Sequence, residues 1–171
     1  MGWDTVTPIP TYVKVTNGYE DASASGAEYP LQVMNPHYLR RAHSVFDNIG
    51  WLREAWTNPV FISTADADAA GVSDGDTVLV SSPYGQCVRN ACVYAGLMPG
   101  VVALPHGAWV AVDEETGIDV AGADNCLTGP APNGQGVSGY NSALCKIEKY
   151  TGEALAPDAE QPLRIVCKDG E

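Results

Sequence analysis

The stretch DGDTVLVSSPYGQCVRNACVYAGLMPGVVAL, residues 74–104, decides the fold. Asp74-Gly75-Asp76 has the composition of a turn, and Thr77–Ser82 behind it is rich in residues that favour a pleated surface. Pro83-Tyr84-Gly85-Gln86 predicts a second turn. Cys87–Ala95 predicts a strand with Ala91, Val93 and Ala95 on one face. Met98-Pro99-Gly100 turns again, and Val101–Leu104 starts another strand. Short strands separated by such turns point to a small all-β unit rather than a helical bundle.

The pattern extends in both directions. Downstream, Ala143–Lys149 alternates apolar and polar residues like a half-buried strand, and Leu163–Cys167 predicts a last one. Upstream, Tyr29–Asn35 is a short apolar run ended by Pro36. Gly50–Thr57 spaces Trp51, Leu52, Ala55 and Trp56 as a short helix with one apolar face would. Val60–Ser63 reads as a strand, and Thr64 as the cap of a helix over 65–70, with Asp66 and Asp68 in its first turn and Gly71 as its stop. Residues 111–142 are loop-rich around Gly129–Gly136. No internal repeat is visible. The expected layout is a lead-in over 1–28, a β-barrel over 29–150 and a C-terminal extension over 151–171. The expected class is mainly β, a closed barrel with a few short helices.

Composition narrows the function classes. With 18 Gly and 12 Pro in 171 residues, turns are frequent. The net charge of −12 disfavours nucleic acid and anionic lipid as partners. No stretch approaches the ~20 apolar residues of a membrane span, so no direct membrane insertion is expected. Met1-Gly2-Trp3-Asp4 opens no secretory or twin-Arg signal and reads as a mid-protein segment. The five cysteines, Cys87, Cys92, Cys126, Cys145 and Cys167, form no C-x-x-C and read as free thiols that pack as small hydrophobes.

Against this acidic background, the nine Lys and Arg and three His are scarce, yet His37, Arg40, Arg41 and His43 fall together just past a strand end. Loops at strand ends are where barrels place ligand contacts, and Arg, His and the neighbouring Ser44 supply directional donors. Solvated ion pairs with Asp and Glu would account for the cluster equally well. Leu104-Pro105-His106-Gly107-Ala108-Trp109 offers a bend with a polar tip and a flat ring that could wall a planar ligand, or a capped strand end with a core Trp. Asn125 and Thr128 before the Gly/Pro loop, and Asn141 after it, carry groups that could read a heterocycle edge, or ordinary turn residues. Zinc on His37, His43 and His106 is disfavoured, since H-x5-H matches no standard ligand spacing. Glu114-Glu115 reads as a solvated turn, and no local signature supports a Cys–His dyad.

Taken in order, these segments are more specific than any one of them. Tyr29-Pro30-Leu31-Gln32-Val33, Pro36-His37, Arg41-Ala42-His43-Ser44 with Asp47-Asn48, and Trp51-Leu52-Arg53-Glu54 resemble the opening of the C-terminal molybdopterin-dinucleotide-binding domain of the dimethyl sulfoxide reductase family. Asp74-Gly75-Asp76-Thr77-Val78, Met98-Pro99-Gly100-Val101-Val102, Pro105-His106-Gly107-Ala108-Trp109, Asn125-x-Leu127-Thr128 and Lys146-Ile147-Glu148-Lys149 continue the likeness, which covers about residues 29–150. Val110 departs from it, for the family usually places an aromatic there.

The resemblance implies a double-psi β-barrel that closes over bis(molybdopterin guanine dinucleotide) with molybdenum. It implies three cofactor contact patches: His37, Arg41, His43 and Ser44; His106, Gly107 and Trp109; Asn125, Thr128 and Asn141. It places the metal-ligating residue in an earlier domain, so no catalytic or metal-ligating residue is expected here and catalysis by the isolated chain is not expected. The implied parent is an oxidoreductase catalytic subunit that reduces S-oxides or N-oxides by oxygen-atom transfer. Its implied partners are the preceding domains and an iron–sulfur electron-transfer subunit, and its implied location is the cell envelope of a prokaryote, at the periplasmic or extracytoplasmic face. The rival readings are a free-standing β-barrel interaction module without cofactor, since fold does not fix function, and a small metalloenzyme built on the histidines.

Overall fold

The computed structural model describes residues 8–130, 139 and 142–153. Within them, six strands close into a barrel: β1 (Leu31–Met34), β2 (Pro59–Ile62), β3 (Thr77–Ser81), β4 (Gln86–Val93), β5 (Val101–Ala103) and β6 (Leu144–Lys149). Three short helices accompany them, α1 (Tyr19–Ala22), α2 (Gly50–Ala55) and α3 (Thr64–Ala70), with a 3-10 turn at Asp124–Leu127. The predicted strand at Leu163–Cys167 lies outside the described residues.

Around the barrel the order is β1-β5-β2-β4-β3-β6. The pairs β1/β5 and β2/β4 are parallel and the other pairs antiparallel. Each parallel pair joins strands separated in the chain by others, which gives the crossed wiring of a double-psi barrel. The β3–β4 hairpin is the local element read most directly from residues 77–93, and its register runs from Thr77↔Asn90 to Ser81↔Gln86. Closure leaves no open edge, and the interior is filled by Val60, Ile62, Val78, Val80, Val102, Leu104 and Leu127.

Two local expectations are corrected. The cap of α3 is Ser63, whose Oγ accepts from Asp66 N at 3.1 Å, and Thr64 is the first helical residue. Ser63 takes the cap because its backbone is extended, with ψ 155°, and its side chain turns back to the N–H of the third helical residue. Gly71 ends α3 in the left-handed region, as its φ of +65° requires. Helix α2 forms, but its apolar face is not packed into the core: none of its residues is buried and Trp51 is 66% exposed. Instead Arg53 ties it inward, donating from Nε to Asp47 O.

The β1/β5 pairing brings two of the three histidines to one end of the barrel. Met34 sits opposite Ala103 in parallel register. The ladder continues beyond both strands, with Leu104 N donating to Met34 O at 2.8 Å and His106 N to Pro36 O at 3.3 Å. His37 and His106, each three residues past a register pair, therefore leave the same end of the barrel.

Candidate histidine rim

Parallel register delivers two imidazoles and a tight turn delivers the third. Ala42 and Val45 exchange backbone hydrogen bonds across His43-Ser44, and His43 takes a left-handed φ of 52°. Such a conformation is uncommon for a residue with a Cβ and marks a place where the surroundings dictate the backbone. The rings of His37 and His106 come within 4.6 Å centroid to centroid, His43 and His106 within 4.7 Å as a near-parallel stack, and His37 and His43 within 5.6 Å. His37, His43 and Ser44 are exposed, while His106 and Trp109 are half-buried.

Gly107 makes this approach feasible. Its φ is +89°, and a Cβ there would lie 1.9 Å from His43 O. The 105–109 loop thus passes against the 43–44 turn at a distance no side chain would allow. Trp109 completes the contact by donating from Nε1 to Ser44 O at 2.9 Å.

Arg41 belongs to the same group but faces inward. Its buried guanidinium donates to His106 O at 2.8 Å, Asp47 Oδ1 at 3.0 Å, Asn58 Oδ1 at 2.8 Å and Pro105 O at 2.9 Å. Most of its donors are thus committed within the protein. Arg89 works from behind the same turn: fully buried, it donates to Pro105 O, Pro59 O and Gly122 O. Burial lowers its pKa to about 10, which leaves it charged at neutral pH.

The Asn125 segment is attached to this rim through its neighbour. Asp124 accepts from Gly107 N at 3.0 Å through Oδ1 and from Asn35 Nδ2 at 3.0 Å through Oδ2. Asn125 is exposed at the start of the 3-10 turn, and Thr128 closes that turn by donating to Asn125 O at 3.1 Å. Asn141 lies outside the described residues. The first two groups of singled-out residues therefore form one rim, and the third is joined to it by Asp124.

The carboxylates and the amide that hold the rim are not among the residues singled out from the sequence. Asp47, Asp119 and Asp124 are buried, and Asp119 accepts from the amides of Ala111, Ala121 and Ala123 to fix the loop after Trp109. Asn58 links Arg41 to the carbonyls of Ala121 and Gly122. Asp47 alone among them has a clear sequence signal, lying in the segment that carries the family likeness and close to a pair of arginines in an Arg-poor protein.

The rim presents an imidazole whose protonation its surroundings shift. Among the described residues, His106 Nε2 is buried without a hydrogen-bond partner. Burial first, then the neighbouring His37 and His43, hold the His106 pKa below the usual 6.5. A neutral imidazole can both donate and accept. Unfolded His106 takes a proton near 6.5 and the folded residue resists until lower pH, so this contribution to stability is complete above 6.5 and declines as pH falls through that value. The melting temperature is expected to drop between about pH 7.5 and about pH 5.5, and His106→Asn should flatten the drop. An unchanged pH slope in the variant would refute this origin.

Three of the described thiols, Cys87, Cys126 and Cys145, are unsuited to nucleophilic work. Burial pushes Cys87 to about 12 and Cys126 to about 11, and raises Cys145 as well, so they stay protonated. Among the described residues, no group of three or more His, Cys, Asp and Glu is placed to hold a metal ion, and no helix is long and apolar enough to cross a membrane. A separate cavity of about 420 Å³ lies between the lead-in and the barrel, lined by Tyr12, Tyr19, Gln32 and Met34 among others.

Comparison with known proteins identifies the family and the fold. Residues 31–143 match the family described as molydopterin dinucleotide binding domain. The chain is 35% identical over 147 residues to the probable dimethyl sulfoxide reductase chain YnfF of Escherichia coli K12, with 84% of this chain and 18% of the relative covered. It is 34% identical over 148 residues to dimethyl sulfoxide reductase DmsA of the same organism, covering 85% and 18%. It is 33% identical over 162 residues to the dimethyl sulfoxide/trimethylamine N-oxide reductase of Cereibacter sphaeroides, covering 89% and 19%. The chain thus spans less than a fifth of the length of these relatives. The solved structure of acetylene hydratase from Pelobacter acetylenicus shares the fold, with a TM-score of 0.70 at 21% identity over 84% of this chain and 21% of that one. The chain belongs to the molydopterin dinucleotide binding domain family, the cofactor-binding domain of the dimethyl sulfoxide reductases and their relatives.

Proposed function

We propose that this chain supplies the cofactor-covering rim of a molybdenum oxidoreductase catalytic subunit, holding bis(molybdopterin guanine dinucleotide). The observation that carries the reading is the convergence of His37, His43 and His106 at one end of the barrel, with the buried Nε2 of His106 lacking a partner among the described residues. Buried polar atoms in folded proteins are paired in the great majority of cases, so this one suits a ligand. The donor set fits a pterin dinucleotide: imidazoles and the Ser44 hydroxyl for phosphate or carbonyl edges, the Trp109 ring for a planar face, and Asn125 and Thr128 for a heterocycle edge.

When bound, the cofactor supplies two-electron chemistry through molybdenum cycling between its IV and VI states. The chain's own residues bind, orient and screen. His37, His43, Ser44 and His106 would contact the ligand, while Arg41 and Gly107 hold the loops that present them. S-oxide or N-oxide reduction is the reaction class favoured by the likeness to the dimethyl sulfoxide and trimethylamine N-oxide reductases. The preceding domains of the subunit and an iron–sulfur electron-transfer subunit are the partners in this reading, and the extracytoplasmic face of the cell envelope is its location.

The test is compositional. The catalytic subunit containing this chain, purified from its host, should carry molybdenum at about one atom per subunit and release about two GMP on acid hydrolysis, as a bis(guanine dinucleotide) cofactor requires. Absence of both from an active preparation would reject the proposal.

A further inference from the structure

We infer that Asp47 is the positioning residue that sets the spacing between the two histidine-bearing loops, residues 36–47 and 105–109. Its side chain touches both loops at once. Oδ1 accepts from Arg40 Nε at 3.0 Å and from Arg41 Nη1 at 3.0 Å, and Oδ2 accepts from Trp109 N at 3.1 Å. Arg53 adds a third cation, with Nη2 at 4.0 Å from Oδ2 and Nε on the Asp47 carbonyl. Arg41 extends the clasp, because the same guanidinium that bonds Asp47 also bonds the carbonyls of Pro105 and His106. Asp47 itself is only 2% exposed, so it works through these partners and not by ligand contact.

The carboxylate is needed for its symmetry as much as for its charge. Both of its oxygens accept, one set toward the arginines and one toward the Trp109 amide. In Asp47→Asn only one oxygen remains, and the new amide NH2 must face either a guanidinium or an N–H, so at least one side of the clasp is lost. The substitution also leaves three arginines around a neutral group. The released part is the 105–109 loop, and with it the stack of His106 on His43 and the Trp109 indole bond to Ser44.

The functional meaning of this clasp rests on the cofactor reading above, but its test needs no cofactor. Residue-resolved amide exchange and NMR on the full ligand-free chain provide it. In Asp47→Asn the Trp109 amide should exchange about 10-fold faster or more, as expected for loss of a bond to a charged acceptor. The Trp109 indole N–H resonance, assigned with Trp109→Phe, should move toward its solvent-exposed position, while amides in β3 keep their protection. Asp47→Glu, which keeps the charge and lengthens the arm, provides a second variant should the first not fold, and should move the same indole resonance. An unmoved indole resonance and an unchanged Trp109 amide would overturn the inference, and so would equal acceleration of the β3 amides. Molybdenum and GMP in the unsubstituted subunit judge the cofactor reading separately.

Discussion

Gly107→Ala should destabilise the chain by roughly 3 kcal/mol and separate the histidine loops. Two costs add. The first is the φ of +89°, where a Cβ costs about 1–2 kcal/mol. The second is steric: the new Cβ would lie 1.9 Å from His43 O and 2.1 Å from His43 C, both backbone atoms that cannot rotate away. Gly26→Ala separates the two, since Gly26 has a φ of +76° with nothing within 4 Å of its would-be Cβ. That variant should lose only the conformational part, about 1–2 kcal/mol. Urea unfolding of both, side by side, measures the steric remainder. Equal losses would mean that the close approach of the 107 and 43 backbones does not constrain the loops.

Arg89→Met should cost about 1 kcal/mol in the same assay. Methionine keeps much of the apolar stem, so the substitution chiefly removes the guanidinium. Pro59 O then loses its donor in a buried place, while Pro105 O keeps Arg41 and Gly122 O keeps Asn58. The orphaned Pro59 O costs ~1–3 kcal/mol and the two weakened acceptors ~1 kcal/mol each, a loss of about 4 kcal/mol. Against it stands the cost of burying the cation, whose fall from 12.5 to about 10 corresponds to roughly 3 kcal/mol. The carbonyls win. A variant as stable as the parent would show that desolvation governs this position and that Arg89 is retained for something other than anchoring the 105 turn.

The barrel is legible where its signals are local. The β3–β4 hairpin, β5 and β6 come from alternation and turn residues at short range, and each strand lies within a few residues of its expected place. Helix α2 is legible from spacing, but spacing says nothing of what a face packs against, and Trp51 stays exposed. The candidate rim is half legible. That His37 and His106 meet is a consequence of the parallel Met34↔Ala103 register, a pairing between distant strands that no local pattern announces. The roles inside the cluster are less visible still. Arg40 and Arg41 look like surface donors because charged side chains are seldom buried. Here they are buried because Asp47 Oδ1 accepts from both of them. Asp119 and Asp124 read as loop residues, since an acceptor for main-chain amides leaves no periodic trace in a sequence.

The cofactor-binding role depends on one physical claim, that the end of the barrel carrying both parallel strand exits is the surface on which the dinucleotide lies. The direct test is the structure of the cofactor-loaded subunit. Polar atoms of the cofactor are expected within hydrogen-bond distance of His37, His43, Ser44 and His106, with Trp109, Asn125 and Thr128 on the same side of the ligand. A cofactor seated instead against the groove of Tyr12, Tyr19, Gln32 and Met34, with the histidines facing solvent, would contradict the claim.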